Sequence, residues 1–313
     1  MNPTDAESPT PALDWSRVRV VVNPTSGGGG HVEPVRAAAA ERDYEVVVTD
    51  SAADTRRAVR AAVADGVGVV VPCGGDGTVN TVVRELDAIG ALDAVTLGVL
   101  PAGTANFFAE NLGIESIGSG FEVVDAGRRR RIDVGVADGT PFVMSCIAGF
   151  PAEVSGAADA ELKGRFGTLA FLVSAARSAD AYEPQPVALS METPDGDATW
   201  TGDALCLLVG NSRRFTGAGG QGDVEDGLLE VVVAESLAPF EVVREAAVHR
   251  LLDRDTEGVT RFDASVADVS FLDGSVAVSL DGELSERESL SLSVRHRTLS
   301  VLVGPDYDPQ PPL

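Results

Sequence analysis

Three glycine-rich stretches, each just after a run of β-branched or apolar residues, constrain this chain more than any other feature. The first is Asn23-Pro24-Thr25-Ser26-Gly27-Gly28-Gly29-Gly30, after the run at 19–22. The second is Gly74-Gly75-Asp76-Gly77-Thr78, after the run at 67–71. The third is Pro101-Ala102-Gly103-Thr104-Ala105-Asn106, after the run at 95–100. Strand-like runs separated by helical patterns of about 10–15 residues imply βαβ units and a parallel sheet. In such a sheet the strand ends share one edge, where ligands bind. Glycine lets backbone N–H groups approach an anion, and a following helix N-terminus adds a favourable dipole. One such loop is a turn. Three at three strand ends, with Thr78 and Thr104 in two of them, point to a phosphate site.

The common phosphate fingerprints are absent. GxxxxGK[ST] fails because the first loop runs SGGGGHVE and has no lysine. GxGxxG fails because Gly75 through Asn80 lacks the third glycine. Neither a P-loop NTPase nor a dinucleotide-binding Rossmann domain is supported.

Helical patterns cover 32–42, 55–64, 79–89 and the stretch from the third loop through 112, with a further strand at 44–49. The character changes near 131. From 133 onward strand-like runs dominate, at 133–136, 142–146, 187–192, 204–209, 228–233, 266–271 and 276–280. Helices near 158–179 and 240–252 interrupt them. This predicts an α/β protein with a parallel-sheet first domain and a β-rich, mostly antiparallel second domain. A length of 313 residues fits two domains. Residues 1–14 are polar and proline-rich and read as a disordered leader.

Charge narrows the class. The chain has 48 acidic against 24 basic residues, a net charge of −24, and Lys163 is its single lysine. That balance argues against a nucleic-acid binder, which needs a basic footprint. It suits a salty cytosol, where at ~1 M salt the Debye length of about 3 Å screens carboxylate repulsion. Hydrophobic residues at 44% exclude wholesale disorder. Cys73, Cys146 and Cys206 form neither a metal pattern nor a disulfide framework, as in a reducing, cytoplasmic compartment. No signal peptide is recognisable and no run reaches the ~18 apolar residues of a membrane span.

The second loop, Gly74-Gly75-Asp76-Gly77-Thr78-Val79-Asn80, closely resembles the GGDGTxN motif of the diacylglycerol kinase catalytic-domain family. That family includes bacterial lipid kinases and the sphingosine and ceramide kinases and is distantly related to NAD kinases. The third loop, continued by Ala109 and Leu112-Gly113-Ile114, is similar to the family's PxGTxNxxAxxLGI segment. Asn23-Pro24 with Ser26-Gly27 resembles its opening NPxSG. Gly149-Phe150-Pro151-Ala152 looks like its GFDA, and Gly210-Asn211, Gly219-Gly220 and Asp226-Gly227-Leu228-Leu229 like its GN, GG and DGLL. Asp281-Gly282-Glu283 looks like its DGE. The match covers about 17–304. Phe107 and Pro151 stand where many members carry Asp, and Met144 where Asn is common.

The resemblance implies phosphoryl transfer from ATP, with Mg²⁺, to a lipid hydroxyl at a membrane surface. Diacylglycerol-like, ether-linked glycerol and sphingoid acceptors all fit. An NAD-kinase-like enzyme with a soluble acceptor, or a non-catalytic nucleotide- or lipid-binding relative, are the alternatives. Nucleotide contacts fall on Asn23, Ser26, Gly27, Gly74, Gly75, Gly77, Thr78, Gly103, Thr104 and Asn106. Glu283 is the candidate general base, with Asp76 the competing assignment. Asp76, Asp226 and Asp281 are candidate metal ligands. The family's C-terminal return divides the chain into 15–132 plus 295–313, the nucleotide-binding domain, and 133–294, the β-rich domain with the base and the lipid site. Monomer or homodimer is left open.

Each residue also has a plainer reading. Asp76 could only hold a turn, although its flanking glycines favour exposure at a loop tip. Thr78 and Thr104 could be helix N-caps. Asn106 could close its own turn, and Asp226 and Glu283 could be turn residues. The run Arg128–Arg131 reads as a solvated face rather than a membrane patch. Lys163, Arg165, Arg213 and Arg214 could add basic surface on the acceptor side.

Overall fold

A computed structural model describes residues 13–149, 183–215, 220–235 and 258–311. The helices expected near 158–179 and 240–252, Phe150-Pro151-Ala152, Lys163, Arg165, Gly219 and residues 1–12 of the leader lie outside the described residues.

The first half alternates strands and helices: β1 (Asp14–Val22), α1 (Val32–Ala40), β2 (Glu45–Val48), α2 (Ala52–Ala64), β3 (Val67–Gly74), α3 (Asp76–Ala88), β4 (Thr96–Leu97), β5 (Leu100–Pro101), α4 (Phe107–Asn111) and α5 (Ile117–Ala126). β1 lies between β2 and β3, parallel to both. The strand β3 is buried along its whole length, as its unbroken apolar run requires of a central parallel strand. The helix α3 buries Val79, Val82, Val83 and Leu86 on one stripe.

The second half is made of strands: β6 (Arg129–Ala137), β7 (Thr140–Phe142), β8 (Ser145–Gly149), β9 (Gln185–Thr193), β10 (Gly196–Ala204), β11 (Cys206–Gly210), β12 (Arg213–Arg214), β13 (Gly220–Gln221), β14 (Leu229–Ala234), β15 (Val259–Ala264), β16 (Val266–Phe271), β17 (Val276–Leu280), β18 (Glu283–Arg287) and β19 (Ser289–Leu302). An antiparallel sheet of order β15-β14-β11-β8-β17-β18 packs on β9, β16 and β19 across a core that includes Leu189, Met191, Val209, Val231, Val269 and Leu292. The α/β architecture with a parallel first part and an antiparallel second part is therefore present.

The two parts share a sheet, of order β10-β9-β16-β19-β4-β3-β1-β2. The seam is β19. It pairs antiparallel with β16 and, at Ser300 and Val301, parallel with β4. Between these ends its register against β6 shifts between Arg295 and Leu299, and Arg297 takes φ 48°. A bulge of this kind lets one strand serve two sheet directions.

Local boundaries differ from expectation in ways that bear on the site. Residues 76–78 are not loop. Gly75 is an extended N-cap (φ −91°, ψ −175°), so Asp76, Gly77 and Thr78 form the first turn of α3. The stretch 95–100 breaks into β4 and β5, with Gly98 wedged against Val71 and Val124. The helix after the third loop begins only at Phe107. The run 142–146 breaks between β7 and β8, where the N–H groups of Val143 and Met144 turn to Asp281.

The run Arg128–Arg131 is a solvated face, exposed except for the half-buried Arg130, and its guanidinium groups are also tied to the fold. Arg130 chelates the buried Glu225 carboxylate at 2.7 and 2.6 Å. Arg131 donates to Arg297 O, Arg128 to Gly304 O, and Arg129 lies over the Trp15 ring.

Candidate active site

The three glycine loops meet backbone to backbone. A Cβ built on Gly103 would overlap Gly75 Cα, and one on Gly27 would overlap the Ala102 carbonyl oxygen. The third loop thus lies against both others, at contacts only glycine allows. Side chains complete the cluster. Asn23 Nδ2 donates to Thr78 Oγ1 at 3.2 Å, and Asn23 Oδ1 accepts from Thr25 N and Oγ1 at 3.1 and 2.9 Å. His31 Nε2 lies 3.0 Å from Asn23 O. The four glycines 27–30 all hold positive φ, between 57° and 88°.

The sequence-derived residues separate into those facing this cluster and those spent on holding it. Gly77 and Thr104 are exposed, and a Cβ on Gly77 would meet nothing. Ser26 is half-buried at the start of the first loop's short 3₁₀ turn. Thr78 is buried against Gly74 and bonded to Asn23. Asn106 closes its own turn: its Oδ1 accepts from Gly103 N and its Nδ2 donates to Gly103 O, both at 2.8 Å, with the residue at φ 56°.

Asp76 is half-buried and does not stand at a loop tip. Its oxygens accept from Phe108 N at 3.0 Å and Phe107 N at 3.2 Å, so it joins the second loop to the third. Burial pushes its carboxyl up, and the two N–H groups and the Arg213 charge pull it back.

Arg213, on β12, reaches this cluster from the other half of the chain. Its guanidinium lies over the Phe107 ring at 4.4 Å and within 5.8 Å of the Phe215 ring. Burial pushes its pKa down to about 10, against the pull of Asp76 and Glu110. Close by, Asn111 Nδ2 donates to Ser212 O at 2.7 Å, a second tie between the halves.

A third tie carries Glu283. It opens β18, its side chain is 67% exposed, and its carboxylate pairs with Arg84 of α3. Arg84 also donates to Pro141 O at 3.3 Å and Leu280 O at 3.4 Å. At the usual rise of ~1.5 Å per residue, Arg84 lies about 12 Å along α3 from Asp76. A recess of about 240 Å³ opens beside the pair, lined by Arg84, Glu283, Leu280, Leu284, Leu290 and Thr140 among others.

The remaining acids are anchors of loops. Asp281, at φ 49°, accepts from Val143 N at 2.8 Å and from Met144 N and Ser145 N at 2.9 Å. Even so, burial pushes its carboxyl up to about 6. Asp226 lies in a turn whose Gly227 N–H is held by the fully buried Asp133 at 2.7 Å. Asp226 lines a polar recess with Asp223, Glu230, Asp263, Arg213, Arg214 and Arg261, and burial, then the charges of Asp223, Asp133 and Asp263, push its carboxyl up to about 6. Among the described residues no three His, Cys, Asp or Glu side chains converge closely enough to hold an ion. Residues the sequence reading did not single out are Arg84, Asp133 and Glu225, and the only signal for Arg84 is its place on the helix after the second loop.

A sheet edge that gathers three glycine loops is joined here to an antiparallel half, the two-part architecture of the diacylglycerol-kinase-like proteins. Residues 17–137 match the diacylglycerol kinase catalytic domain. Over 230 residues the chain is 33% identical to "Probable lipid kinase YegS-like" of Pseudomonas aeruginosa (strain UCBPP-PA14), covering 71% of this chain and 73% of that one. With the protein of the same name from Enterobacter sp. (strain 638) it shares 28% over 301 residues, 92% of this chain and 96% of that one. A solved diacylglycerol kinase from Bacillus anthracis str. Sterne superposes with a TM-score of 0.69 at 19% identity, over 94% of this chain and 98% of that one. A second structure from that organism gives 0.75 at 24%, over 94% and 97%. The chain belongs to the diacylglycerol kinase catalytic-domain family, alongside its YegS-like bacterial members, and is a phosphotransferase of the kinase class.

Proposed function

We propose that this enzyme transfers the γ-phosphoryl group of ATP to a hydroxyl of a diacylglycerol-like lipid, with ether-linked glycerol and sphingoid lipids in the same acceptor class. The observation that carries this reading is the junction of the three loops around Gly103, Gly75 and Thr78. Backbone N–H groups at such a junction, at the N-terminus of α3, suit a triphosphate. Relatives named as lipid kinases over most of their length favour a lipid acceptor.

Phosphoryl transfer asks for positioning and electrostatics more than covalent chemistry. In this reading Gly27, Gly74, Gly75, Gly77 and Gly103 hold the phosphates, aided by the Ser26 and Thr104 hydroxyls, while Thr78, buried and bonded to Asn23, braces the second loop. Asn23 and Asn106 keep the loops in shape. Glu283 takes the acceptor proton, since its carboxylate is open to solvent while both Asp76 oxygens already accept N–H groups. The span along α3 between Asp76 and Arg84 leaves room for the acceptor headgroup between phosphate and base.

Mg²⁺ would be held at Asp76, whose oxygens each keep a lone pair, and it supplies charge neutralisation on the triphosphate. Asp226, beside Asp223 in a recess whose Glu230 and Asp263 are already paired with Arg261, is the candidate for a second, structural cation. Asp281, with three N–H donors on its carboxylate, fits the role of holding the β7–β8 turn better than that of a ligand.

The proposed nucleotide-binding domain is 15–132 with 295–313, and 133–294 carries the base and lipid site. No helix among the described residues is long and apolar enough to cross a membrane. Contact with the lipid is proposed to be peripheral, from the cytoplasm.

Incubation with γ-labelled ATP, Mg²⁺ and either total lipid extract or NAD tests the acceptor. Label is expected in the organic phase. Label on NAD with none in lipid would overturn the lipid reading.

A further inference from the structure

Arg213 is positioned unlike Arg84, Arg130 and Arg295 at the boundary between the halves, and unlike Arg129, which also lies over a ring but is exposed. Arg84, Arg130 and Arg295 each pair with a carboxylate. Arg213 is half-buried, yet its guanidinium donates no hydrogen bond to any described residue and forms no ion pair within 4.0 Å of a described acid. What holds it is aromatic: the Phe107 ring at 4.4 Å and the Phe215 ring at 5.8 Å. An arginine over a ring presents its face to the ring, while its five N–H donors lie in the guanidinium plane and stay available. The Arg213 nitrogens are not among the fully buried side-chain atoms that lack a partner, so they remain open to an incoming anion.

The backbone that carries Arg213 is fixed in place. Asn211 N donates to Met144 O at 2.9 Å and Ser212 N to Val143 O at 3.1 Å. Asn111 holds Ser212 O, and a Cβ on Gly210 would overlap the Arg213 carbonyl oxygen. The arginine is also beside the loops: Phe107, whose ring it covers, gives its own N–H to Asp76. A planar, charged fork is thus held ready next to the junction of the glycine loops.

We propose that Arg213 binds the terminal phosphate of the nucleotide from the β-rich side, opposite the glycine loops. This rests on the nucleotide reading above and adds a cationic contact that the glycine loops lack. Bidentate N–H donation to phosphate oxygens is the interaction an arginine makes best. Placed on the terminal phosphate, it also balances charge where the transferred group develops it. The site then draws on both halves of the chain, and the γ-phosphate is read by the half that carries the acceptor base.

The test is calorimetric titration of the full chain with ATP, ADP and adenosine, for the unaltered protein, Arg213→Met and Arg213→Lys, with thermal melts of each. Arg213→Met is expected to weaken ATP by about 10- to 100-fold, ADP by less, and adenosine hardly at all. Arg213→Lys, which keeps the charge and loses the fork, is expected to fall between. If Arg213→Met melts early, Arg213→Lys carries the comparison by its ATP-to-adenosine ratio. Equal effects on ATP and adenosine, or unchanged ATP affinity, would overturn the proposal while leaving the kinase reading standing. Failure of the unaltered protein to bind ATP would instead remove the nucleotide reading, and the proposal with it.

Discussion

Arg84, on the helix that follows the second glycine loop, holds the carboxylate of Glu283 and, with the same guanidinium, the carbonyl oxygens of Pro141 and Leu280. The candidate base is thereby fixed to the element that begins at the second glycine loop. Its position depends on a residue of the other half of the chain. Glu283→Gln is expected to cut turnover to a small residual rate, measurable at high enzyme concentration. Arg84→Met is expected to lower kcat while the KM for ATP stays near its original value, because the loops are untouched. The double variant should be no slower than Glu283→Gln alone, since residues acting as a unit are not additive. Full additivity in that cycle would separate Arg84 from the base.

The glycines of the second and third loops differ in what they tolerate. A Cβ at Gly103 meets the Gly75 backbone, whereas a Cβ at Gly77 meets only open space. Gly103→Ala is therefore expected to lower both the melting temperature and ATP affinity. Gly77→Ala should melt like the unaltered protein, so any loss of ATP affinity reports on the nucleotide contact itself. A Gly77→Ala protein that melts early, or that binds ATP as before, would contradict the role given to this glycine.

Much of this arrangement is readable from residues alone, and what is not has physical reasons. The three loops are legible because close backbone approach requires glycine at Gly27 and Gly103, with positive φ besides at Gly27. The start of α3 is less so: its apolar stripe begins at Val79, while its first turn is Asp-Gly-Thr and looks like loop. The helix α5 escapes a periodicity reading because Gly118 and Gly120 interrupt it. Gly120 is needed there for contact with Val99 O, and the helix is held by a Ser116–Ser119 capping box. The strand β18 is exposed at most positions, and β10 is an edge strand, so pairing with β17 and β9 decides them more than composition does. Ties such as Arg84–Glu283 and Arg213–Phe107 join residues far apart in sequence, and no local pattern encodes them.

Acid stability offers a further test. The carboxyl of Asp226 is pushed up to about 6, by burial first and then by Asp223, Asp133 and Asp263. A group raised in the folded state stabilises it fully below its unfolded pKa of about 4, and that stability is lost as pH rises through the folded value. In EDTA, Asp226→Asn is therefore expected to melt higher than the unaltered protein at pH 7.5 and to lose that advantage at pH 4. Adding Mg²⁺ at pH 7.5 should raise the melting point of the unaltered protein and not of the variant. An unaltered protein that melts higher than the variant in EDTA at pH 7.5 would contradict this view of Asp226.

The net charge of −24 sets a condition on the reaction. In the proposed reaction so acidic an enzyme would meet ATP and an often anionic membrane within its own repulsive field, which salt screens. Activity is expected to rise with salt toward molar concentrations. Activity that peaks at low salt and declines steadily would remove the salt-adaptation reading and leave the kinase assignment in place.

The central claim is that the junction of the three glycine loops, with Asp76 and Glu283, transfers a phosphoryl group to lipid. Its most direct test is label movement from γ-labelled ATP into the organic phase of a lipid extract, for the unaltered protein, Asp76→Asn and Glu283→Gln. Transfer by the unaltered protein and loss of transfer in both variants, each still folded by its thermal melt, is the predicted result. No lipid label with the unaltered protein, or undiminished transfer by both variants, would contradict it.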